Sequence, residues 1–425
     1  AVGLSEQLDS LKSSADLTLK RSDSAYSIIT VMAADATAPT AIVGQHLEPL
    51  LQSHRTVIAP GRVDRLGLER AESLGEIVLL VDDPSDQEWS HFCRRVADRT
   101  VVVTTDAAPS QEIPQGSHVV IVDAQPTAAQ FTQWFEQVQP ASRTLVRSNH
   151  LATDLGSLSD LLLHRSLGIA FGGGGARGIA HIGVMDVLTD AGIHVDRFAG
   201  TSMGAIVGCM FASGLGPDAV DVLAYDVLVR GNPMSDYTIP RKSLLRGRRV
   251  DAAMHNLFGD MRIESLPLPF ACVSVDLVTR QEVVHRSGPI VDALLASSRL
   301  PGILPPYLHS LGGVHVDGAR LNNLPVNVLN REDGPIIAIA VGGQESLTEE
   351  MALENITFAD TIMRSLMMAS DNANVEAHDL ADLVIRPDTS SAGLTEFHRI
   401  DAMREAGQLA ALAALPEIKN LLNRS

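Results

Sequence analysis

The chain has 425 residues, about three times the usual length of one domain, so two domains are the first expectation. Hydrophobic residues make up 45% of it and charged residues 20%, a balance typical of a globular protein and not of a disordered one. Lysine and arginine total 33 against 51 aspartates and glutamates, which gives a net charge of −18. This acidic balance argues against a nucleic-acid partner, because phosphate backbones are bound by basic surfaces.

The cysteines lie far apart, at Cys93, Cys209 and Cys272, and form no CxxC pair. Their spacing excludes a disulfide framework and suits a reducing compartment. No apolar run approaches 18 residues, and the N-terminus has no apolar core of the signal-peptide type. The sequence therefore predicts a cytoplasmic protein. Since the chain does not begin with Met, a piece of a longer protein is also an expectation.

The first part of the chain has the pattern of a parallel α/β unit. Residues 1–24 are polar and predict a short helix or linker. Short β-branched runs then alternate with amphipathic segments of helical length, which is typical of βαβ units. The predicted strands are 28–33, 77–81, 101–103, 119–122 and 144–147, and the predicted helices are 41–53, 86–96 and 128–138. Residues 25–150 are thus predicted to form a Rossmann-like domain, followed by a connector over 151–165.

The end of the first predicted strand argues against ATP binding. Residues 32–40 read MAADATAPT, where a P-loop has glycines and a lysine. No lysine occurs between Arg21 and Ser142. The N-terminal domain is therefore predicted to be a structural or regulatory module without a Walker motif.

A second α/β unit is predicted over residues 166–425. A strand at 167–171 runs into the sequence GGGGARG and a helix at 178–191, and a strand at 195–199 runs into GTSMG and a helix at 205–212. Further predicted strands are 270–275, 282–285, 314–316, 336–341 and 383–385, and further predicted helices are 290–298, 356–369 and 400–414.

The pentapeptide GTSMG makes Ser202 a candidate nucleophile. Gly200 and Gly204 flank it between a predicted strand and a predicted helix, where side chains would collide across a tight turn. A serine oxygen at a helix N-terminus is well placed to carry developing negative charge. The alternative is a purely structural turn, since small-residue pentapeptides also arise by chance.

The glycine run at 172–178 allows three functional interpretations. A dinucleotide loop needs an acidic residue at the end of the next strand, but Asp196 precedes most of that strand. A P-loop would end in GK[ST], which is missing. An oxyanion hole fits, because consecutive glycines let backbone N–H groups point into a cavity beside the serine. Arg177 either anchors this loop or is a solvated residue at the start of a helix.

The serine needs a base, and no histidine stands in a decisive context. His181 is interpreted as a packing or capping residue, and His315 points opposite to its strand neighbours and is predicted to be non-catalytic. Asp317, followed by Gly318 at the end of a predicted strand, is the better candidate among many acidic residues. Partial burial raises the pKa of such a carboxylate and makes it a stronger base.

Together, GGGGARG, GTSMG and DGA resemble the patatin-like phospholipases, and specifically the bacterial branch similar to neuropathy target esterase. The segments 296–302 and 303–307 resemble the family's sequence before DGA, and 393–397 resembles its C-terminal part, so the likeness covers roughly 165–420. Residues before 165 also resemble the α/β segment that precedes the hydrolase domain there. Such proteins commonly carry cyclic-nucleotide-binding domains upstream, and none is recognisable here, so a truncated chain lacking an upstream regulatory domain is expected.

This resemblance implies a patatin-like domain of the α/β hydrolase type with a Ser–Asp dyad and no metal or cofactor. By position, Ser202 is the nucleophile, Asp317 the base, and Gly173, Gly174 and Gly175 are the oxyanion donors. The residues expected to support these motifs are Arg177, Gly178, Gly200, Gly204 and Gly318. The implied substrate is a phospholipid or lysophospholipid. The alternatives are a broad short-chain esterase or thioesterase and, in another class, a nucleotide-binding regulatory protein using the glycine loop.

One local basic run stands out against the acidic background. Residues 241–249 read RKSLLRGRR, with five basic groups and no acid. One interpretation is a solvated loop whose arginines pair with neighbouring carboxylates. The other is that Arg246, Arg248 and Arg249 bind a lipid phosphate or an anionic membrane, which predicts peripheral membrane contact.

Overall fold

The computed structural model describes residues 27–35, 37–54, 57–58, 63, 65–105, 113–123, 140–341 and 377–424. Over these residues the chain forms two β-sheets, one from the N-terminal part and one from the C-terminal part. The predicted two-part α/β architecture is confirmed. No helix in the described ranges is both long and apolar enough to cross a membrane.

The N-terminal sheet has six strands, all parallel. They are β1 (Ser27–Ala33), β2 (Val57–Ile58), β3 (Ile77–Val81), β4 (Arg99–Thr104), β5 (His118–Val122) and β6 (Ser142–Val146). Their order is β2-β3-β1-β4-β5-β6, so the first strand is central and the chain crosses to its other side after β3. Strands buried on both faces need continuous apolar sequence, and β3 and β5 carry it. The second and third strands are exchanged relative to the Rossmann order.

Helices cover both faces of this sheet. They are α1 (Thr40–Gln52), α2 (Arg65–Leu74), α3 (Gln87–Val96), α4 (Leu151–Asp154) and α5 (Gly156–Leu162). One apolar cluster joins the sheet to α1, α4 and α5, and the other joins it to α2 and α3. The segment predicted as a connector therefore packs on the N-terminal sheet. The domain boundaries themselves stay predictions, and the predicted elements at 1–24 and 128–138 lie outside the described residues.

The C-terminal sheet has eight strands in the described residues. They are β7 (Gly168–Phe171), β8 (Arg197–Thr201), β9 (Phe270–Asp276), β10 (Gln281–His285), β11 (Tyr307–Leu308), β12 (Val314–Asp317), β13 (Ile336–Ile339) and β14 (Leu383–Ile385). Strands β9, β8, β7, β13 and β14 are parallel neighbours, whereas β10 and β12 pair with β9 antiparallel. The sheet is therefore parallel at its centre and antiparallel on one side.

Six helices of the described residues pack around this sheet or extend from it. They are α6 (Ala180–Asp190), α7 (Met203–Ala212), α8 (Pro217–Ala224), α9 (Arg248–Phe258), α10 (Ile290–Ser297) and α11 (Ile400–Arg424). Every residue of α7 is buried, which its sequence MGAIVGCMFA permits because it carries no charged side chain. Strand β8 lies two residues later in the chain than the predicted 195–199, and the predicted helix at 356–369 lies outside the described residues.

The C-terminal helix α11 crosses α6 closely. A Cβ on Gly183 would lie 1.9 Å from the carbonyl oxygen of Arg404, and a Cβ on Gly407 would lie 2.0 Å from that of Ala180. The Arg404 guanidinium also donates to both carboxylate oxygens of Asp186, at 2.7 and 2.9 Å. This helix is therefore an integral part of the C-terminal unit.

Candidate active site

Ser202 lies on the sharp turn between strand β8 and helix α7. Its backbone has φ 55° and ψ −121°, a conformation in which a non-glycine residue is strained. Strain of this kind persists only where surrounding contacts impose it. The turn leaves the serine partly exposed while the residues on both sides are buried.

The two glycines that flank the serine are required by close backbone contacts. A Cβ on Gly200 would lie 2.4 Å from the carbonyl oxygen of Gly204, and a Cβ on Gly204 would lie 2.4 Å from that of Phe171. Both distances are shorter than any contact a real Cβ makes. The glycine on each side of the serine thus follows from the packing of α7 against the ends of β7 and β8.

The sheet register brings Asp317 to the same level as the serine turn. On strand β9, Val273 pairs with Thr201 of β8, and the next residue, Ser274, pairs with Asp317 of β12. Ser202 Oγ donates a hydrogen bond of 2.6 Å to Asp317 Oδ2. The structure thus brings together two predicted site residues that lie 115 positions apart in the sequence.

The Asp317 carboxylate is buried and held from both sides. Its side chain is only 1% exposed, its Oδ1 accepts a 2.9 Å bond from the Ala319 N–H, and its own N–H donates to the Arg299 carbonyl. Gly318 makes this approach possible, because a Cβ there would lie 2.4 Å from the Val273 carbonyl oxygen. Burial raises the pKa of Asp317 to about 6, although the bonds from Ser202 and Ala319 lower it. A carboxylate with such a pKa is a stronger proton acceptor than an exposed one.

The glycine-rich loop lies against the serine. A Cβ on Gly173 would be 3.2 Å from the Ser202 Cβ. The Gly173 N–H donates to the Asn323 carbonyl at 3.0 Å, so this N–H is already engaged and the expectation that it is an oxyanion donor needs correction. Among the described residues, the N–H groups of Gly174 and Gly175 have no hydrogen-bond acceptor.

The other side of this loop is held by the segment 392–394. The Ala176 N–H donates to the Leu394 carbonyl at 2.8 Å, and Arg177 Nε donates to the Ala392 carbonyl at 2.7 Å. Of the two interpretations of Arg177, the contact agrees with the anchoring one. Gly178 lets the loop approach α7, since a Cβ there would lie 2.5 Å from Met203 Cγ.

Three residues that sequence analysis did not single out hold the site together. Ser297, the last residue of α10, accepts the Ser202 N–H on its side-chain oxygen at 3.0 Å. Asn323 donates from Nδ2 to the Gly173 carbonyl at 3.3 Å, and its neighbour Asn322 accepts the Thr201 hydroxyl at 2.9 Å. Ser297 lies in the segment 296–302 and the asparagines follow DGAR after one leucine, so proximity to the motifs was the available signal.

The two histidines considered as bases lie away from the serine hydroxyl. His181 is fully buried, bonds the Gly172 carbonyl through Nε2 at 2.8 Å, and has its pKa lowered to about 4 by burial. His315 is buried and bonds the Ser274 hydroxyl through Nδ1 at 2.8 Å. Both are held in structural contacts. The described residues contain no group of three or more His, Cys, Asp or Glu side chains arranged to hold a metal ion.

The basic run at 241–249 is divided between two structures. Its first part belongs to a hairpin in which Tyr237 and Leu245 pair antiparallel, and its last two arginines begin helix α9. Arg246, Arg248 and Arg249 are all exposed.

The geometry of the serine turn, the aspartate and the glycine loop agrees with a comparison to protein families. A family model described as patatin-like phospholipase matches residues 169–330, which include all three features. Residues 169–330 are a patatin-like phospholipase domain. The described C-terminal unit extends beyond the match, because strands β13 and β14 and helix α11 follow it.

Relatives of the patatin-like domain belong to the NTE family. An uncharacterised NTE family protein of Mycobacterium tuberculosis is 35% identical over 377 residues, 82% of this chain and 63% of that protein. The neuropathy target esterase sws of Drosophila melanogaster is 33% identical over 210 residues, 48% of this chain and 15% of that protein. The chain thus spans less than two thirds of the length of the mycobacterial relative. The crystal structure of VipD from Legionella pneumophila matches 57% of this chain and 67% of its own, with 16% identity and a TM-score of 0.31.

Proposed function

We propose that the chain is a carboxylic ester hydrolase that releases fatty acid from a phospholipid or lysophospholipid. The observation that carries the proposal is the 2.6 Å hydrogen bond from Ser202 Oγ to the buried Asp317 carboxylate. The patatin-like phospholipase domain and the NTE-family relatives support lipid ester hydrolysis as the reaction class.

In the first half of the proposed reaction, Asp317 accepts the Ser202 proton as the serine oxygen attacks the ester carbonyl carbon. The carbonyl oxygen becomes an oxyanion, which the N–H groups of Gly174 and Gly175 and the N-terminus of α7 stabilise. The intermediate collapses, and Asp317 returns the proton to the departing alcohol oxygen. Ser202 is left as an acyl ester.

In the second half, water takes the place of the alcohol. Asp317 accepts a proton from the water as its oxygen attacks the acyl carbon, and the same N–H groups stabilise the second oxyanion. When this intermediate collapses, the proton passes to Ser202 Oγ and the fatty acid leaves. The raised pKa of Asp317, about 6, suits a group that accepts and returns a proton in each half.

A nucleotide-binding role for the glycine loop is less well supported. The loop N–H groups of Gly173 and Ala176 donate to protein carbonyls, and only those of Gly174 and Gly175 lack an acceptor among the described residues. The end of strand β8 carries Thr201 and the serine turn and has no carboxylate for a ribose hydroxyl.

The test combines active-site labelling with hydrolysis assays. A fluorophosphonate is expected to label the wild-type protein at Ser202 stoichiometrically and to leave Ser202→Ala unlabelled. Ser202→Ala and Asp317→Asn should each abolish hydrolysis, and the double variant should be no less active than either, because the two side chains act as a unit. Ser298→Ala and Asp260→Asn are the matched controls.

The substrate is tested with the same protein on phospholipid, lysophospholipid and short-chain ester. Faster turnover of the long-chain lipids supports the proposal, whereas activity confined to short-chain esters or thioesters favours the broad esterase. Near-normal turnover by Asp317→Asn contradicts the dyad, and absence of labelling at Ser202 contradicts the hydrolase.

A further inference from the structure

A short hairpin follows helix α8 and leads into helix α9; we call residues 236–249, which are this hairpin and the first two residues of α9, the basic hairpin. Tyr237 and Leu245 pair antiparallel at its base, and the Thr238 N–H donates to the Leu244 carbonyl at 3.0 Å. Leu245 is 2% exposed and belongs to the core of the C-terminal unit. Leu245 therefore attaches the hairpin to the core of the C-terminal unit.

The hairpin exposes three large side chains with apolar surface to solvent. Ile239 is 81% exposed, Tyr237 71% and Leu244 45%. One exposed apolar residue is common on a protein surface, but three within eight residues of one hairpin mark an interaction surface. A tyrosine with an apolar ring and a polar hydroxyl is suited to the boundary between water and an apolar phase.

The same segment carries the basic run together with one carboxylate, Asp236, whose Oδ2 accepts the backbone N–H of Arg249 at 3.3 Å. The five cationic side chains, all exposed, are Arg241, Lys242, Arg246, Arg248 and Arg249. None of them has a carboxylate within ion-pair distance in the described part of the chain; the Arg249 guanidinium donates to the Ser235 hydroxyl instead. Side-chain ion pairs among the described residues therefore do not account for the basic run.

Helix stability does not account for the last two arginines either. Arg248 and Arg249 are the first residues of α9, where the helix dipole disfavours cations. They nonetheless lie close in sequence to three other exposed basic residues, Arg241, Lys242 and Arg246, in a chain whose net charge is −18. Such a patch is complementary to an anionic partner.

The basic hairpin is attached to the segment that supports the proposed dyad. The N–H groups of Leu244 and Leu245 donate to the carbonyls of Gly302 and Ile303, each at 2.9 Å. A few residues earlier along that segment, Arg299 accepts the Asp317 N–H through its carbonyl and Ser297 accepts the Ser202 N–H. A partner bound to the hairpin is thus held beside the strand and helix ends that form the site.

We propose that the basic hairpin docks the protein on the anionic surface of a phospholipid bilayer. The five cations contact lipid phosphates, while Tyr237 and Ile239 enter the boundary between the headgroups and the acyl chains. The inference rests on the proposed function only in one respect: docking would bring lipid esters to Ser202. The docking itself requires no hydrolysis.

Binding is measured by co-flotation of the full chain carrying Ser202→Ala, so that the vesicles stay intact. One vesicle population is phosphatidylcholine alone, and the other also contains phosphatidylglycerol. We expect binding to the anionic vesicles that weakens in high salt, and a reduction of about tenfold or more for Arg241→Glu/Lys242→Glu. Tyr237→Ser/Ile239→Ser should weaken binding at both salt concentrations, because its contribution is apolar.

Matched controls carry the same changes on the N-terminal unit. Arg70→Glu/Arg95→Glu reverses two exposed arginines, and Leu66→Ser removes a leucine that is 73% exposed. Equal binding to both vesicle types, unchanged binding by the hairpin variants, or equal losses in the controls would overturn the proposal. The docking proposal would also be overturned if the Ser202→Ala protein bound no vesicles while the wild-type protein hydrolysed a soluble ester. That result would leave the proposed function intact. Hairpin-dependent vesicle binding without any ester hydrolysis supports docking and refutes the proposed function.

Discussion

The side-chain oxygen of Ser297 accepts a hydrogen bond of 3.0 Å from the backbone N–H of Ser202. This contact holds the serine turn at the point where its backbone has a positive φ. Because Ser297 ends helix α10 and is fully buried, the strained turn is supported by a rigid element of the fold. Ser297 thus fixes the backbone of the proposed nucleophile.

Ser297→Ala should lower kcat by about tenfold to a hundredfold with little change in KM, because the turn loses an acceptor that positions the nucleophile. Steady-state kinetics on a soluble ester and the rate of fluorophosphonate labelling provide the measurement. The control is Ser298→Ala, which removes the adjacent serine, whose hydroxyl bonds the Leu294 carbonyl. If Ser297→Ala kept the wild-type kcat, the serine turn would not need the hydrogen bond to Ser297 for its conformation.

The pH dependence of hydrolysis should follow the ionisation of Asp317. Its pKa is raised to about 6 by burial, and only the ionised carboxylate accepts the serine proton. The value of kcat/KM should therefore rise with pH, reach half its maximum near 6 and level off above. A profile that is flat between pH 5 and 8 is inconsistent with Asp317 as the base.

The same shift predicts an effect on stability. The folded state binds the Asp317 proton more tightly than the unfolded state, whose pKa is near 3.8, so this group's contribution to stability is lost as pH rises from about 4 through 6. Asp317→Asn avoids burying the ionised carboxylate and should exceed the wild type in free energy of unfolding by roughly 3 kcal/mol above that range. Thermal unfolding at pH 5 and pH 8 measures the difference, which should be larger at pH 8. A difference independent of pH contradicts the assigned shift.

The glycine loop offers a test with a matched control. Gly175 has φ +55°, and a Cβ there would lie 2.2 Å from the Leu394 carbonyl oxygen, so Gly175→Ala should displace the loop and lower kcat by about a hundredfold. Gly192 has φ +69° with nothing near its Cβ position. Gly192→Ala should therefore cost stability alone, about 1 kcal/mol, and leave kcat unchanged. Equal kcat values for the two variants would separate the loop from catalysis.

The N-terminal domain should neither bind nor hydrolyse ATP. Asp35 follows strand β1, where a P-loop would hold phosphate, and its carboxylate accepts bonds from the N–H groups of Thr37 and Thr105, each at 3.0 Å. A fixed negative charge at this position repels phosphate. Isothermal titration of the full chain with Mg-ATP should show no heat of binding, and saturable turnover lost on deletion of 25–150 would refute the prediction.

The sequence was most informative where burial demands continuous apolar residues. Strands β1, β3 and β5 are β-branched runs buried in a parallel sheet, and each was predicted within a residue or two. Helix α2 was missed because its sequence RLGLERAESL has few apolar positions, although Asp64 directly before it is of a type that favours helix starts. A surface helix of ten residues with few apolar positions is difficult to recognise by the spacing of its apolar residues.

The candidate site also contains residues that the sequence predicted and residues that it did not. Ser202 and Asp317 were found because glycines mark the turns that carry them, and Gly174 could not be distinguished from Gly173 because the difference is a tertiary hydrogen bond to Asn323. The only sequence signal for Ser297 was its place in the segment 296–302, because its role depends on the end of α10 meeting the serine turn. Residues that act through their position in space are not marked by local sequence.

The contacts of segment 392–394 with the glycine loop have a consequence for the order in which the protein folds during synthesis. Carbonyls of Ala392 and Leu394 hold that loop, and helix α11 then packs on α6, more than 200 residues after the loop was made. Ser202 and Asp317 are synthesised before Ala392 and Leu394, whose carbonyls hold the glycine loop. The loop that carries the proposed oxyanion donors therefore lacks this support while the chain is still being made. The proposed hydrolysis is therefore expected only after residues 392–424 have been synthesised and have packed against the loop and α6.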